Sequence, residues 1–442
     1  MIALFLIPVY IVINIYILHR LKNFLIKCKE TFSRKWLQVI IYTIYGIFAV
    51  SPIVGFLMPY GTETKRMATR VGNYWFALLI YTIIIVAIGH FLSILLRRVF
   101  KITPHNFFQI RKNSVISGIL TLAIIGGVSA YGLYNARDIK VTDYNITVNK
   151  QVENVKSMKV VLLADLHMGY SIGVDQIEKM VKLVNEQKPD LVCIAGDIYD
   201  NDYNSLEDPD KLANLLSQMK STYGTYACWG NHDVNQKILA GFTFSTGKTL
   251  EHDKRMDSFF KKAKINLLTD EVKLIDNKFY IAGRLDDEKP ATGEVKKSAD
   301  ELLKGLDKSK PIFTIYHEPN ELDELSKAGT DVLLCGHTHD GQIFPGNIFI
   351  KLFWENACGY LKKGNMHNIV TSGVGIITEN LTAGNSKCLI QYSQVKIIQF
   401  FKHTEIIQCQ FINTSVDSPS DLTGCTECIF IIYQKKCQIT VP

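Results

Sequence analysis

Three short polar motifs lie near the middle of the chain, and each follows a run of apolar residues. The motifs are Asp165-x-His167, Gly196-Asp197-x-x-Asp200 and Gly230-Asn231-His232-Asp233. The runs before them, 159–164, 191–195 and 225–229, have the β-branched, apolar character of buried strands. Apolar residues at helical spacing in 174–187 make the first two runs part of a β-α-β unit. In such sheets ligands bind beyond the carboxyl ends of the strands, where these polar residues fall.

Two later strand-like runs are also followed by possible metal ligands. His317 comes after 312–316, and His337 and His339 come after 332–335. A single motif of this kind is more often a turn or a helix cap than a ligand, but five in order at strand ends predict a metal site. Carboxylate, carboxamide and imidazole groups together favour borderline divalent ions such as Mn, Fe or Zn. There are enough of them for two ions bridged by Asp197, the arrangement that clamps a reacting phosphorus centre.

This motif set resembles that of the calcineurin-like metallophosphoesterase family, from near residue 158 to near residue 375. The resemblance implies an α/β fold of two packed mixed β-sheets flanked by helices. It also implies the ligands: Asp165, His167, Asp197 and His339 for one ion, and Asp197, Asn231, His317 and His337 for the other. His232 would be the leaving-group acid, oriented by Asp233, and Asp200 would support the ligands. Asp340 stands where the family usually has a second glycine.

Arg284 is a further candidate for contact with substrate. It follows the strand-like run 278–282, and its planar guanidinium could bind phosphate oxygens in bidentate fashion. An equally good interpretation is a surface ion pair with Asp286 or Asp287. The sequence contains no motif of a nucleophilic Ser or Cys, so a metal-activated water is the expected nucleophile.

The N-terminal part of the chain is much more apolar than the rest. Four apolar runs, 2–18, 36–58, 74–96 and 114–134, are each long enough or nearly long enough to cross a bilayer of about 30 Å. The first run has no basic residues before it and several after it, which favours a retained span over a signal peptide. We therefore predict a transmembrane region of about four helices (1–138), a linker (139–156), a catalytic domain (157–383) and a C-terminal extension (384–442).

The extension contains five of the ten cysteines, Cys388, Cys409, Cys425, Cys428 and Cys437. The spacing of Cys425 and Cys428 is typical of metal sites, but one pair cannot complete a four-ligand zinc site.

The distribution of basic residues predicts the orientation of the membrane helices. The loops 20–35 and 97–112 are richer in Lys and Arg than 61–73, which places the first and third loops in the cytoplasm by the positive-inside rule. The catalytic domain would then lie outside the cytoplasm, most naturally at the plasma membrane, with the inverted topology as the alternative. These loops also account for the net charge of +7, and no basic, aromatic groove of the kind that binds nucleic acid is apparent.

The predicted function is a membrane-anchored, binuclear-metal phosphohydrolase. Its first-choice substrate is a phosphodiester or pyrophosphate of a lipid, because lipid-linked phosphates lie next to a site tethered at a bilayer. Soluble phosphodiesters or phosphomonoesters are the alternative within the enzyme class. A non-catalytic membrane receptor or scaffold is the alternative from another class, and the presence of all the predicted ligands argues against it.

Overall fold

Four long helices make up the N-terminal third of the protein in the computed structural model, which describes residues 2–99, 110–150, 152–239, 242–244, 249–288, 291–375 and 388–397. They are α1 (Ile2–Cys28), α2 (Lys35–Leu57), α3 (Glu63–Val99) and α4 (Arg111–Arg137). Each contains a segment long and apolar enough to cross a membrane. The prediction of four membrane helices is confirmed. At 37 residues, α3 is about 55 Å long and exceeds the hydrocarbon thickness, so part of it extends beyond the membrane.

The first sheet has six strands in the order β1-β14-β2-β3-β4-β7. The strands are β1 (Lys140–Val148), β2 (Ser157–Leu163), β3 (Leu191–Ala195), β4 (Thr225–Cys228), β7 (Ile265–Leu267) and β14 (Cys388–Ile397). Strands β2, β3, β4 and β7 run parallel, with Val160 opposite Leu191 in the β2–β3 register. Strand β14 is parallel to β1 and antiparallel to β2, which makes the sheet mixed.

Two strands of this sheet come from segments outside the predicted catalytic domain. The predicted linker 139–156 contains β1, and the predicted extension 384–442 contains β14, which lies between β1 and β2. Cys388 is the first residue of β14, whereas the other four cysteines of the extension lie outside the described residues.

The second sheet has the strand order β12-β13-β11-β10-β9-β8. Its strands are β8 (Glu271–Ile275), β9 (Phe279–Gly283), β10 (Ile312–Ile315), β11 (Val332–Cys335), β12 (Gly359–Lys363) and β13 (Met366–Val370). The four central strands are parallel and the two edge strands are antiparallel to their neighbours. A separate two-stranded sheet pairs β5 (Lys237–Leu239) with β6 (Phe242–Phe244).

The sheets pack face to face, and helices cover their outer faces. Val160 and Cys193 of the first sheet share a buried cluster with Phe313 and Val332 of the second. The covering helices are α5 (Val174–Gln187), α6 (Pro209–Leu216), α7 (Arg255–Ala263), α8 (Ala299–Leu302) and α9 (Leu322–Ala328), whereas the short α10 (Gly346–Phe349) has no buried residue. The predicted α/β class with two packed mixed sheets is confirmed.

The hairpin between α2 and α3 contacts the catalytic domain directly. The Gly61 amide donates to the Tyr170 hydroxyl at 2.9 Å, and the Arg70 Nε donates to the Tyr170 carbonyl at 2.6 Å. Asn73 donates to the Ser171 hydroxyl at 3.0 Å. The second interhelical loop and the catalytic domain therefore lie on the same side of the membrane, as a bundle of four spans requires.

Candidate metal centre

One group of possible ligands consists of Asp165, His167 and His339, all of them buried. Asp165 and His167 follow β2, and His339 lies four residues beyond β11. The Nε2 atoms of His167 and His339 are 3.2 Å apart, and His339 Nε2 is 3.4 Å from Asp165 Oδ1. The carboxyl ends of the two sheets' strands thus bring together residues separated by more than 170 positions in the sequence.

A second group, of Asp165, Asp197 and His317, lies beside the first and shares Asp165 with it. His317 Nε2 is 3.2 Å from Asp197 Oδ2 and 2.9 Å from Asn231 Oδ1. His337 Nδ1 is 3.2 Å from the same His317 nitrogen and 3.3 Å from Asn231 Oδ1. Because Asp197 Oδ2 is also 3.5 Å from His167 Nε2, one carboxylate oxygen faces both groups. The structure therefore brings all seven sequence-predicted ligands together.

Hydrogen bonds to surrounding groups orient the ligand side chains so that the lone pairs of the ligand atoms face the centre. His317 uses Nδ1 for a 2.8 Å bond to the Ala195 carbonyl, so Nε2 is the nitrogen that faces the centre. Asn231 donates from Nδ2 to Glu288 at 2.7 Å, which turns Oδ1 towards the centre. A single proton can be shared by only two of these converging atoms, whereas a divalent cation satisfies the whole set. Outer hydrogen bonds of this kind are typical of ligands in metal sites, and the donor set fits such an ion.

The backbone at the centre is held in an unusual conformation. Asp165, His167, Asp197, His337 and His339 all have φ between 45° and 72°, in the left-handed region that few non-glycine residues adopt. The loops also approach one another closely, since a Cβ on Gly230 would lie 2.3 Å from Asp197 Oδ1. Backbone strain of this kind is characteristic of functional sites, where the surrounding fold maintains it.

Burial and neighbouring charges act in opposite directions on the acidic groups. Burial raises the pKa of the Asp165 carboxyl to about 7. Burial acts in the same direction on Asp197, but the imidazoles of His317 and His232 outweigh it and hold the pKa of Asp197 well below its usual range. Burial and the neighbouring His167 lower the pKa of His339 well below the ordinary histidine value, which favours the neutral form that binds metal ions.

His232 lies beside the first group, and its orientation differs from the prediction. Its ring centroid is 5.3 Å from that of His167, and its Nδ1 is 2.7 Å from Asn201 Oδ1. Asp233 was predicted to orient His232, but its carboxylate accepts the amides of Ile198, Tyr199 and Gly230 at 2.8–3.1 Å. That role is corrected: Asn201 orients the imidazole, and Asp233 fixes the two loops that carry the ligands.

The other two candidate residues, Asp200 and Arg284, lie in different surroundings. Asp200 accepts a 2.7 Å hydrogen bond from His167 Nδ1 and so supports that ligand. Arg284 is fully buried, donates to the Lys297 carbonyl at 2.7 Å, and pairs with Glu321 and with Asp270. The prediction that Arg284 binds phosphate, or pairs at the surface with Asp286 or Asp287, is therefore corrected. The two terminal nitrogens of its guanidinium are engaged with partners in the interior of the fold.

Sequence reasoning missed two residues that hold the site together, Asn201 and Glu288. Asn201 belongs to the acidic stretch 200–210, yet its side chain is fully buried. Its position directly after Asp200 is the signal that could have identified it. Glu288 orients Asn231 and, with Glu318 and His337, forms a further acidic group next to the centre. No local pattern indicates the contact between Glu288 and Asn231, which lie 57 residues apart.

The comparison with protein families agrees with this geometry. Residues 158–341 match the model of the calcineurin-like phosphoesterases, a range that contains all seven ligands. These residues are therefore similar to a calcineurin-like phosphoesterase domain. Asp340 of this domain has φ 49°, a left-handed conformation that glycine adopts more readily, which accords with the glycine usual at this position.

Several curated proteins are similar to the same part of the chain. The chain is 31% identical over 262 residues to the "Transmembrane protein with metallophosphoesterase domain" of Danio rerio, covering 58% of each protein. It is 31% identical to an uncharacterized metallophosphoesterase of Helicobacter pylori, covering 50% of this chain and 55% of that protein. It is 26% identical to "Phosphodiesterase YaeI" of Escherichia coli, covering 50% and 77%. The chain thus spans little more than half the length of the first two relatives.

Proposed function

We propose that the protein is a membrane-anchored, metal-dependent phosphohydrolase that cleaves a phosphodiester or pyrophosphate bond in a lipid-linked substrate. The observation that supports this most strongly is the convergence of seven oxygen and nitrogen donors around Asp197, whose Oδ2 faces both His167 and His317. In this interpretation the site takes two divalent ions drawn from Mn, Fe and Zn.

Each group of ligands would hold one cation. Asp165, His167, Asp197 and His339 would hold the first, and Asp197, Asn231, His317 and His337 the second. When bound, such ions neutralise the phosphoryl oxygens and lower the pKa of an attacking water. The chain's own contribution is to fix the ligands before binding: Asp200 holds His167, Glu288 holds Asn231, and the Ala195 carbonyl holds His317.

His232 would protonate the oxygen that leaves phosphorus. Its Nδ1 is engaged with Asn201 Oδ1, so Nε2 would transfer the proton. The backbone amide of His232 donates to Asp197 Oδ1 at 2.8 Å, which ties the acid to the ligand shared by both groups. A positioned general acid contributes about 10²–10⁴-fold to such reactions, and most where the leaving group is a poor one.

Two observations favour a lipid-linked phosphodiester or pyrophosphate. The hairpin between α2 and α3 contacts Tyr170 and Ser171, three and four residues after His167, so the membrane helices reach close to the ligands. The name of the E. coli relative, a phosphodiesterase, supports the diester class. The distribution of basic residues in the loops supports a catalytic domain outside the cytoplasm, at the plasma membrane.

The test is hydrolysis by the purified full-length protein in detergent with Mn²⁺ added. The panel contains a chromogenic phosphodiester, a phosphomonoester and a lipid pyrophosphate, and Asp197→Ala serves as the blank. We expect turnover of the lipid pyrophosphate or the diester that is lost in the variant. Turnover of the monoester alone would overturn the substrate assignment. Absence of turnover with metal bound would favour the receptor or scaffold function.

A further inference from the structure

An apolar loop, residues 343–354, begins four residues after the ligand His339. Its sequence is Ile-Phe-Pro-Gly-Asn-Ile-Phe-Ile-Lys-Leu-Phe-Trp, and it includes the short helix α10. Eight large hydrophobic side chains are exposed among the described residues that follow α4, and five of them lie in this loop: Phe344, Ile348, Phe349, Leu352 and Phe353. Leu352 and Phe353 are 78% and 79% exposed. A concentration of this kind marks an interaction surface rather than a solvated loop.

The beginning of the apolar loop is attached to the membrane helices. Ile343 packs against a small buried cluster of Ala77 and Tyr81 on α3, which Val128 and Leu133 of α4 also contact. Ala77 and Tyr81 lie within the apolar segment of α3, beyond the part that contacts Tyr170 and Ser171. The apolar loop therefore begins against the membrane-spanning parts of α3 and α4.

The charge of the apolar loop fits a phospholipid leaflet. It contains no acidic residue, and its one basic residue, Lys351, is exposed. A lysine flanked by bulky apolar residues can place its ammonium at the phosphate headgroups while its neighbours enter the acyl region.

We propose that the apolar loop inserts into the leaflet that faces the catalytic domain and forms a membrane-embedded rim of the metal centre. The end of the loop returns to the centre, because the Trp354 ring lies 5.1 Å from that of the ligand His337. Residues at both ends of the loop thus connect the bilayer with His337 and His339. If the proposed function holds, a lipid-linked phosphate can pass from the leaflet to the ligands along this rim.

Insertion is tested by fluorescence of the full-length chain in vesicles of lipids brominated on the acyl chains. Leu352→Trp and, separately, Phe349→Trp each add one tryptophan to the four of the parent. Val295→Trp is the matched control, since Val295 is also an exposed apolar residue of the catalytic domain. We expect the brominated lipids to quench the fluorescence of the tryptophans introduced at positions 349 and 352. Aqueous iodide should quench only the tryptophan introduced at position 295. Iodide quenching of both loop tryptophans would overturn the proposal, as would crosslinking of Leu352→Cys to a second copy.

The role in substrate delivery is tested separately with Phe349→Asp/Leu352→Asp, with Phe349→Leu/Leu352→Met as the apolar control. We expect kcat/KM for the lipid pyrophosphate to fall about tenfold or more in the Asp variant, because aspartate strongly disfavours insertion. Hydrolysis of the chromogenic diester should be unchanged in both variants. An equal loss on both substrates would overturn the delivery role. If the brominated lipids quench the loop tryptophans but the parent protein hydrolyses neither substrate, the insertion stands and the proposed function is refuted.

Discussion

Replacing Asn201 with alanine keeps His232 in place but removes the side chain that orients its imidazole. The substitution removes the 2.7 Å bond to His232 Nδ1 and the 3.2 Å bond from Asn201 Nδ2 to the Val234 carbonyl. A hydrogen bond between neutral groups contributes about 0.5–1.5 kcal/mol, which corresponds to roughly 2- to 12-fold in rate if it orients the acid. The complete loss of a general acid costs about 10²–10⁴-fold. We therefore expect Asn201→Ala to reduce kcat about tenfold, well short of His232→Ala.

The assay compares two phosphodiesters that differ in their leaving groups. A nitrophenolate leaves without protonation, whereas an alkoxide needs a proton, which in the proposed mechanism comes from His232. We expect Asn201→Ala to lower kcat for the alkyl ester and to leave kcat for the nitrophenyl ester nearly unchanged. Asn204→Ala is the matched control, because Asn204 is an exposed residue three positions further along.

Asn201→Asp provides a second control, since it keeps an acceptor for His232 and loses the donor to Val234. Its ratio of rates on the two esters should stay close to that of the parent, although its thermal stability should fall. If Asn201→Ala reduced both rates equally, the asparagine would be a structural residue only. If Asp233→Asn changed the ratio and Asn201→Ala did not, the original assignment of Asp233 as the orienting residue would be reinstated.

Four further results are expected. Asn231→Ala should lower the metal content of the purified protein by about one ion per chain, measured by elemental analysis. Arg284→Met should lower the free energy of unfolding by about 3–5 kcal/mol, because it leaves two carboxylates without their buried partner, while KM is unchanged. A chain ending at Lys387 should fail to fold because it lacks β14, whereas one ending at Gln399 retains this strand. Removal of metal by a chelator should lower the melting temperature of the parent, and of Asp197→Ala much less, since ions that bind the native state stabilise it.

The site could be predicted from the sequence because its signal is local. Most of the seven ligands lie within a few residues of the end of an apolar run, and the topology of a parallel sheet brings such positions to one edge. The helices α1 to α4 could be predicted equally well, since apolar composition over about 20 residues identifies a span without reference to the rest of the fold.

Tertiary contacts account for what the sequence did not reveal. Asn201 and Asp233 lie in adjacent loops, and which of them faces His232 depends on how those loops fold together. Arg284 directly follows β9, as a substrate-binding residue would, but its partners Asp270 and Glu321 come from segments before and after it. Strand β14 lies far along the chain from β2, and no local pattern indicates that the two strands pair.

The two ligand groups differ in their relation to the membrane helices. Two of the ligands in the first group stand just before contacts with these helices: His167 precedes Tyr170 and Ser171, and His339 precedes Ile343. The loops that carry His167 and His339 also adopt left-handed conformations, each costing roughly 1–3 kcal/mol, so they depend on their surroundings for order. Whatever free energy the helices contribute to ordering these loops would add to the affinity of the first group for an ion. By linkage, an ion bound there would strengthen the attachment of the catalytic domain to the helices by the same amount, and we expect the metal centre and the membrane region to be coupled.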